Sequence, residues 1–309
     1  MSGEADFIDL LRSFATHPAA RGLIDDAAVL DVGGVRLVLT HDMIVDGVHY
    51  LPADPPEDVA WKLVAVNLSD LAAKGAEPLA ALLGYGLGDA EWDGRFAEGL
   101  RATLDGFCMA LIGGDTVAMP VRAMGLTAIG TSEHAPSRSG AQPGDDLWVS
   151  GSIGDAGAGL AIARGADGPD NLLQRYRRPY PRLELGQALA PVVHAMMDVS
   201  DGLLIDAARM AAASRVAIAV DLEHVPLSPD LVAFAGDDRA ARLAAATAGD
   251  DYELLFAAAA ADRHVVVRLS EETGVSLTRI GAVSEGENLS ISHNGEAVPL
   301  PEKLGYRHG

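Results

Sequence analysis

The chain has 309 residues, 49% of them hydrophobic, and a formal net charge of −21, which is enough length and apolar content for two cored domains. The acidic balance argues against nucleic acid and anionic membrane as partners, because phosphate surfaces are bound by a surplus of Lys and Arg. Cys108 is the only cysteine, which excludes an internal disulfide and a cysteine-based zinc site.

The opening "MSGEADFIDLLRSF" carries acids and lacks the long apolar run of a signal peptide. No segment approaches the ~20 apolar residues of a membrane span, so the expectation is a soluble, cytoplasmic protein. Phe7, Leu10, Leu11 and Phe14 recur at helical spacing and predict a first helix. "DDAAVL" leads to a turn at Gly33-Gly34, and "VRLVLTHDMIVDGVHY" alternates as one or two strands. Pro55-Pro56 followed by Glu57-Asp58 marks a helix start, and that helix is expected to end near Gly75. "PLAALLGYGL" then reads as a strand, "AEWDGRFAEGLRATLDGF" as a helix, "CMALIGGDT" as a strand ending in a glycine turn, and "VRAMGLTAIGTS" as a strand.

Turn residues dominate from Ser137 to Gly144, and the domain boundary is placed there, giving residues 1–137 and 138–309. The second half restarts with "DLWVSG" as a strand and "DAGAGLAIARG" as a helix, followed by a polar loop with Tyr176, Pro179 and Pro181. "LELGQALAP" and "DGLLIDAARMAAAS" read as helices; "HAMMDVS", "VAIAVDLE", "YELLFAAAA" and "LTRIGAVS" read as strands. Strands alternating with helices in both halves predict a two-domain α/β or mixed α+β fold. A Ser-Asp triplet in each half points to an internal duplication.

The chemistry lies in acids set beside apolar sequence. In "AVNLSDLAAKGAEP", Asn67 and Asp70 lie three apart and share a helix face. Asp70 reads either as an ion pair with Lys74 four residues on, worth roughly 0.2–0.5 kcal/mol, or as a metal-facing carboxylate. Asp198, Ser200 and Asp201 sit where a strand meets a helix, and one of the last two is expected to serve as the N-cap. Asp26, Asp42 and Asp115 lie at turns or strand ends, where each alone reads as a solvated acid. Were these six acids to converge, each like-charge pair ~4 Å apart would cost ~4 kcal/mol at an effective dielectric of about 20. Such a site requires cations, and oxygen ligands with no cysteine suit Mg²⁺. Neither G-x-G-x-x-G nor G-x-x-x-x-G-K-[ST] occurs.

Taken together and in order, "DDAAVL", "THDMIVDGVHY", "AVNLSDLAAKGAEP", "LIGGDT", "SRSGAQPGD", "MDVSDGLLID" and "AGDDYELLF" resemble the thiamine-monophosphate kinase family. The likeness spans nearly the whole chain and extends to the wider superfamily of aminoimidazole ribonucleotide synthetase. It implies an N-terminal mixed sheet that forms a homodimer interface, a C-terminal sheet covered by helices, and transfer of the γ-phosphoryl of ATP to thiamine monophosphate with several Mg²⁺ ions. The implied metal ligands are Asp26, Thr40, Asp42, Asp70, Asp115, Asp198 and Asp201. Gly114, Asp115, Arg138 and Ser200 match nucleotide contacts; His49, Asp250 and Tyr306 match the substrate side. No residue is implied as a strong base. The chain departs from the family pattern at Ile24, His41, Lys74 and Asp250, where Gly, Thr or Ser, Met and Glu are usual. Two alternatives stand beside this reading: a sister cyclo-ligase that also uses ATP, and a non-catalytic Mg-nucleotide-binding regulator.

Overall fold

The computed structural model describes residues 4–307. The first half carries helix α1 (Glu4–Arg12), strands β1 (Ala28–Val32) and β2 (Val35–Val45), helix α2 (Pro56–Ala73), strand β3 (Glu77–Leu87), helix α3 (Ala90–Gly106), and strands β4 (Ala110–Ala118) and β5 (Ala123–Thr131). Its strands form one sheet in the order β1-β2-β5-β3-β4, antiparallel except for the parallel β3–β4 pair. Gly33 and Gly34 join β1 to β2 with φ of 59° and 87°, the positive pair that a tight hairpin turn demands.

Alternation along β2 decides what faces where. Val38, Thr40 and Ile44 point inward while His41 and Met43 point out. His41 therefore leaves the inner face to Thr40 and half-buried Asp42, and its own Nδ1 lies 2.9 Å from the Thr127 hydroxyl.

The second half carries β6 (Asp145–Ser150), α4 (Asp155–Ala163), α5 (Asp170–Arg177), α6 (Leu183–Leu189), β7 (Ala195–Val199), α7 (Leu203–Ser214), β8 (Ala217–Asp221), α8 (Pro229–Ala235), α9 (Arg239–Thr247), β9 (Glu253–Ala259), α10 (Arg263–Thr273), β10 (Leu277–Ser284), β11 (Asn288–His293) and β12 (Glu296–Val298). They build a second sheet in the order β12-β11-β8-β10-β6-β9-β7, where only β8–β11 run parallel. The arrangement is two-domain and α+β, with helices against both sheets. Among the described residues no helix is long and apolar enough to cross a membrane.

Helix α2 is buried along nearly its whole length, and its apolar residues divide between two cores. Val59, Leu63, Leu68 and Leu71 pack into the first core, while Ala72 and Ala73 pack beside β7, β9 and α6. The helix thus lies between the two sheets.

Three local expectations are corrected. Gly113 and Gly114 make no turn: β4 runs through them, and a Cβ on Gly114 would stand 1.9 Å from the Leu83 carbonyl oxygen. Tyr176 lies in a helix rather than a loop, because Leu172 and Tyr176, one turn apart, are both buried. The two Ser-Asp triplets are not structural equivalents, since one is mid-helix in α2 and the other follows β7.

Candidate active site

The polar residues of α2 each reach a different segment. Asn67, fully buried, accepts from the Asp42 amide at 3.0 Å through Oδ1 and donates to the Leu63 carbonyl at 2.9 Å. It therefore fixes β2 against the helix. Ser69 donates to Asp198 Oδ2 at 2.6 Å and ties the helix to the end of β7. Asp70 accepts from the Thr40 hydroxyl. Lys74, at the C-terminus of α2, does not pair with Asp70. Its ammonium lies 2.5 Å from Asp25 and 2.7 Å from Asp26, and it donates to the Met196 carbonyl at 3.1 Å.

These segments bring Asp26, Asp70 and Asp198 together, with one carboxylate oxygen of each within 4.8 Å of the others. The three line a cavity of about 1290 Å³, together with Asp42 and Asp201. Thus five of the six acids singled out in the sequence share one cavity. Arg138, Ser200, His49, Asp250 and Tyr306 line it too. Gly114 and Asp115 do not; they lie on the exposed edge strand β4, where the Asp115 carboxylate accepts from the Thr116 amide at 2.9 Å.

The charges divide into two groups. Burial alone would raise the Asp26 carboxyl, but Lys74 and Arg138 beside it more than offset that and hold it at about 2. Asp25 is likewise held low, with burial opposed by Lys74. Asp42, Asp70 and Asp198 have no ion-pair partner among the described residues. Burial, then Asp26 and Asp201, raises Asp42 to about 6. Burial, then Asp42, Asp198 and Asp26, raises Asp70 well above the usual carboxylate range. Burial, then Asp26, raises Asp198 to about 8. Crowded carboxylates that resist ionisation are what a cation relieves.

The β7–α7 junction was expected to be capped by Ser200 or Asp201. Instead Asp206, from inside the first turn of α7, reaches back and accepts from the Ser200, Asp201 and Gly202 amides at 3.1, 3.1 and 3.2 Å. That leaves the Asp201 side chain for Arg209, 2.6 Å away. The sequence reading missed Asp206, Arg209 and Lys62. The visible signal for the first two was an acid and an Arg three apart on an apolar helix. Lys62, buried on α2, donates to Asp250 at 2.8 Å and to the His49 carbonyl at 3.0 Å, joining two residues expected on the substrate side. Asp250 and Tyr252 both have positive φ, 72° and 52°, a conformation that non-glycine residues hold only when their surroundings fix it. Asp250 is fixed by its amide to the Ser200 carbonyl at 2.7 Å and by the Lys62 ion pair.

Residues 24–132 match the model of the AIR synthase related protein N-terminal domain, and residues 142–294 match that of the C-terminal domain. The thiamine-monophosphate kinase of Caulobacter vibrioides is 40% identical over 94% of this chain and 86% of its own length. That decides the family. The chain belongs to the thiamine-monophosphate kinases. The Escherichia coli K12 member is 37% identical over 98% of this chain and 96% of its own. A solved structure described as AaThiL complexed with AMPPCP and TMP superposes with a TM-score of 0.86 at 30% identity, covering 99% of this chain and 97% of the other.

Proposed function

We infer that the chain transfers the γ-phosphoryl group of ATP directly to the phosphate of thiamine monophosphate, giving thiamine diphosphate and ADP. One observation carries the link between family and chemistry: Asp26, Asp70 and Asp198 converge within 4.8 Å in a cavity that Asp42 and Asp201 also line. The cavity's volume, about 1290 Å³, exceeds the ~300–1,000 Å³ of a single small-ligand pocket and accommodates two substrates.

The residues fit Mg²⁺. The donor set is all oxygen, and buried Asp26 Oδ2 accepts no hydrogen bond despite the ammonium nearby. Asp42, Asp70, Asp198 and Asp201 would hold the ions, with Asp26 and Thr40 at the edge of the set. Bound there, Mg²⁺ supplies neutralisation of the charge spread over the transferring phosphoryl oxygens. The chain's own work is positioning. Asn67 and Ser69 hold the carboxylates of β2 and β7 in register. Arg138, anchored on Asp26, steadies the nucleotide. Asp206 keeps the Ser200–Gly202 backbone turned so that Asp201 faces the cavity. His49, Asp250 and Tyr306 take the thiamine side, where Asp250 faces a permanently cationic thiazolium. The acceptor phosphate is already an anion at neutral pH, with a second pKa of ~6, so no general base is needed.

A homodimer and a cytoplasmic location complete the proposal. Met43, Leu82, Leu111, Ile112 and Val117 are large, exposed and apolar on the first sheet, and β4 is an uncovered edge. Such a surface in isolation is an aggregation hazard, and a second copy of the chain is the occupant that covers it. A part for Gly114 and Asp115 in nucleotide binding then runs across that interface. Use of ATP supports the cytoplasm.

The test is a coupled assay. Purified protein with ATP and thiamine monophosphate is expected to form ADP and thiamine diphosphate one for one, and only with Mg²⁺. Nucleotide binding without ADP release would support a regulator instead, and turnover only with an aminoimidazole precursor would support the cyclo-ligase.

A further inference from the structure

Lys74 is the one lysine whose ammonium enters the acidic cluster among the described residues, and it is fully buried. Around it two carboxylates already meet three cations. Asp25 and Asp26 face Lys74, Arg21 at 2.6 Å and Arg138. A few ångströms away Asp42, Asp70 and Asp198 face one another with no cation. Asp26 belongs to both groups: its oxygen lies within 4.8 Å of those of Asp70 and Asp198, yet Oδ2 stands 2.7 Å from the Lys74 ammonium without a directed hydrogen bond. At 2.7 Å from Asp26 Oδ2 the ammonium, a compact unit charge, occupies the space beside that carboxylate.

We propose that the Lys74 ammonium is a tethered cation filling one of the positions a divalent ion would otherwise take beside Asp26. The chain thereby orders the Asp25–Asp26 side of its site without metal and holds one divalent ion fewer than its carboxylates could bind. Lys74 is a positioning residue: it acts on the substrates only through Asp25 and Asp26. The inference rests on the Mg²⁺ reading above, and it predicts something that reading does not.

The experiment counts bound Mn²⁺ by the paramagnetic resonance of the free ion, with full-length protein, in the presence and absence of a non-hydrolysable ATP analogue. Lys74→Met, nearly isosteric and uncharged, is expected to bind one more Mn²⁺ per chain than the wild type. Lys74→Arg, which keeps the charge, is expected to match the wild-type count. Lys74→Met should also gain more in melting temperature from Mn²⁺ than the wild type does. An unchanged count and unchanged affinity in Lys74→Met overturn the proposal. Should that variant fold only with Mn²⁺ present, the ion has replaced the ammonium and the proposal stands. Should it fail to fold at all, Asp25→Asn/Lys74→Met is compared with Asp25→Asn, and less than ~tenfold tighter Mn²⁺ binding by the double variant overturns it, since a unit charge at this range acts on a divalent ion by more than that. If the wild type binds no Mn²⁺ but Lys74→Met does, the Mg²⁺ reading fails while the role of Lys74 holds; if neither binds, both fail.

Discussion

Replacing Asp198 with asparagine removes a charge and keeps the acceptor for the Ser69 hydroxyl, which donates to it at 2.6 Å. Burial and the nearby Asp26 raise this carboxyl from 3.8 to about 8. A metal-free folded protein at pH 7 therefore holds Asp198 protonated, whereas the unfolded chain ionises it. The folded state binds more protons, so its stability falls as pH rises from about 4 towards 8. At pH 7 the gap is about three pH units, or at most ~4 kcal/mol at 1.36 kcal/mol per unit. Asparagine has no such proton to hold. In EDTA, Asp198→Asn is expected to be more stable than the wild type by up to ~4 kcal/mol at pH 7 and by about nothing near pH 4. Urea denaturation at the two pH values reads this directly. In Mg²⁺ the order reverses in function: the variant loses the metal-dependent rise in melting temperature, and its turnover drops at least ~100-fold. A variant that is less stable than the wild type in EDTA at pH 7 would refute the charge-crowding argument. Full turnover in it would remove Asp198 from the metal set.

The same crowding makes cation affinity rise with pH between about 6 and 8, as Asp42 and Asp198 give up protons on binding; calorimetry in buffers of different ionisation enthalpy would detect the released protons, and pH-independent affinity would contradict it. Asp206→Ala strips the acceptor from three backbone amides and leaves Arg209 with one partner fewer, so a loss of roughly 2–4 kcal/mol in denaturant is expected. Lys62→Met breaks the 2.8 Å pair with Asp250 and should raise KM for thiamine monophosphate several-fold more than KM for ATP; equal rises would place Lys62 elsewhere in the reaction. Ile112→Asp puts a charge on the exposed face of β4 and is expected to be monomeric in analytical ultracentrifugation where the wild type sediments as the proposed dimer; a variant that sediments as the wild type does would remove β4 from the interface.

Much of the fold was legible because its elements are strongly patterned. α2 announced itself by Pro55-Pro56 and its long apolar run, and β2 by alternation. The helices α8, α9 and α10 were not read: α8 has seven residues and packs on α4 and α5, α9 is rich in alanine, and α10 buries only Val266 and Leu269. "IGGDT" looked like a turn because glycine marks both turns and close strand approach; only the Leu83 carbonyl opposite Gly114 tells them apart. In the site, the acids were visible by type and setting. Their partners were not. Lys74 lies four residues from Asp70, yet the end of α2 turns its side chain toward Asp25 and Asp26, 49 and 48 positions earlier, a pairing that no local spacing encodes. Asp115 carried the same local signature as the other acids, but its strand lies at the far edge of the sheet order from β1.

Helix α2 touches β2 and β5 on one side and β7 and β9 on the other, and its Asn67, Ser69 and Lys74 are bonded in turn to β2, to Asp198 on β7, and to the Asp25–Asp26 segment. A hinge between the halves would have to break all of these buried links together. The carboxylates of both halves are therefore pinned to one helix, and their spacing is set by that helix rather than by the surface loops.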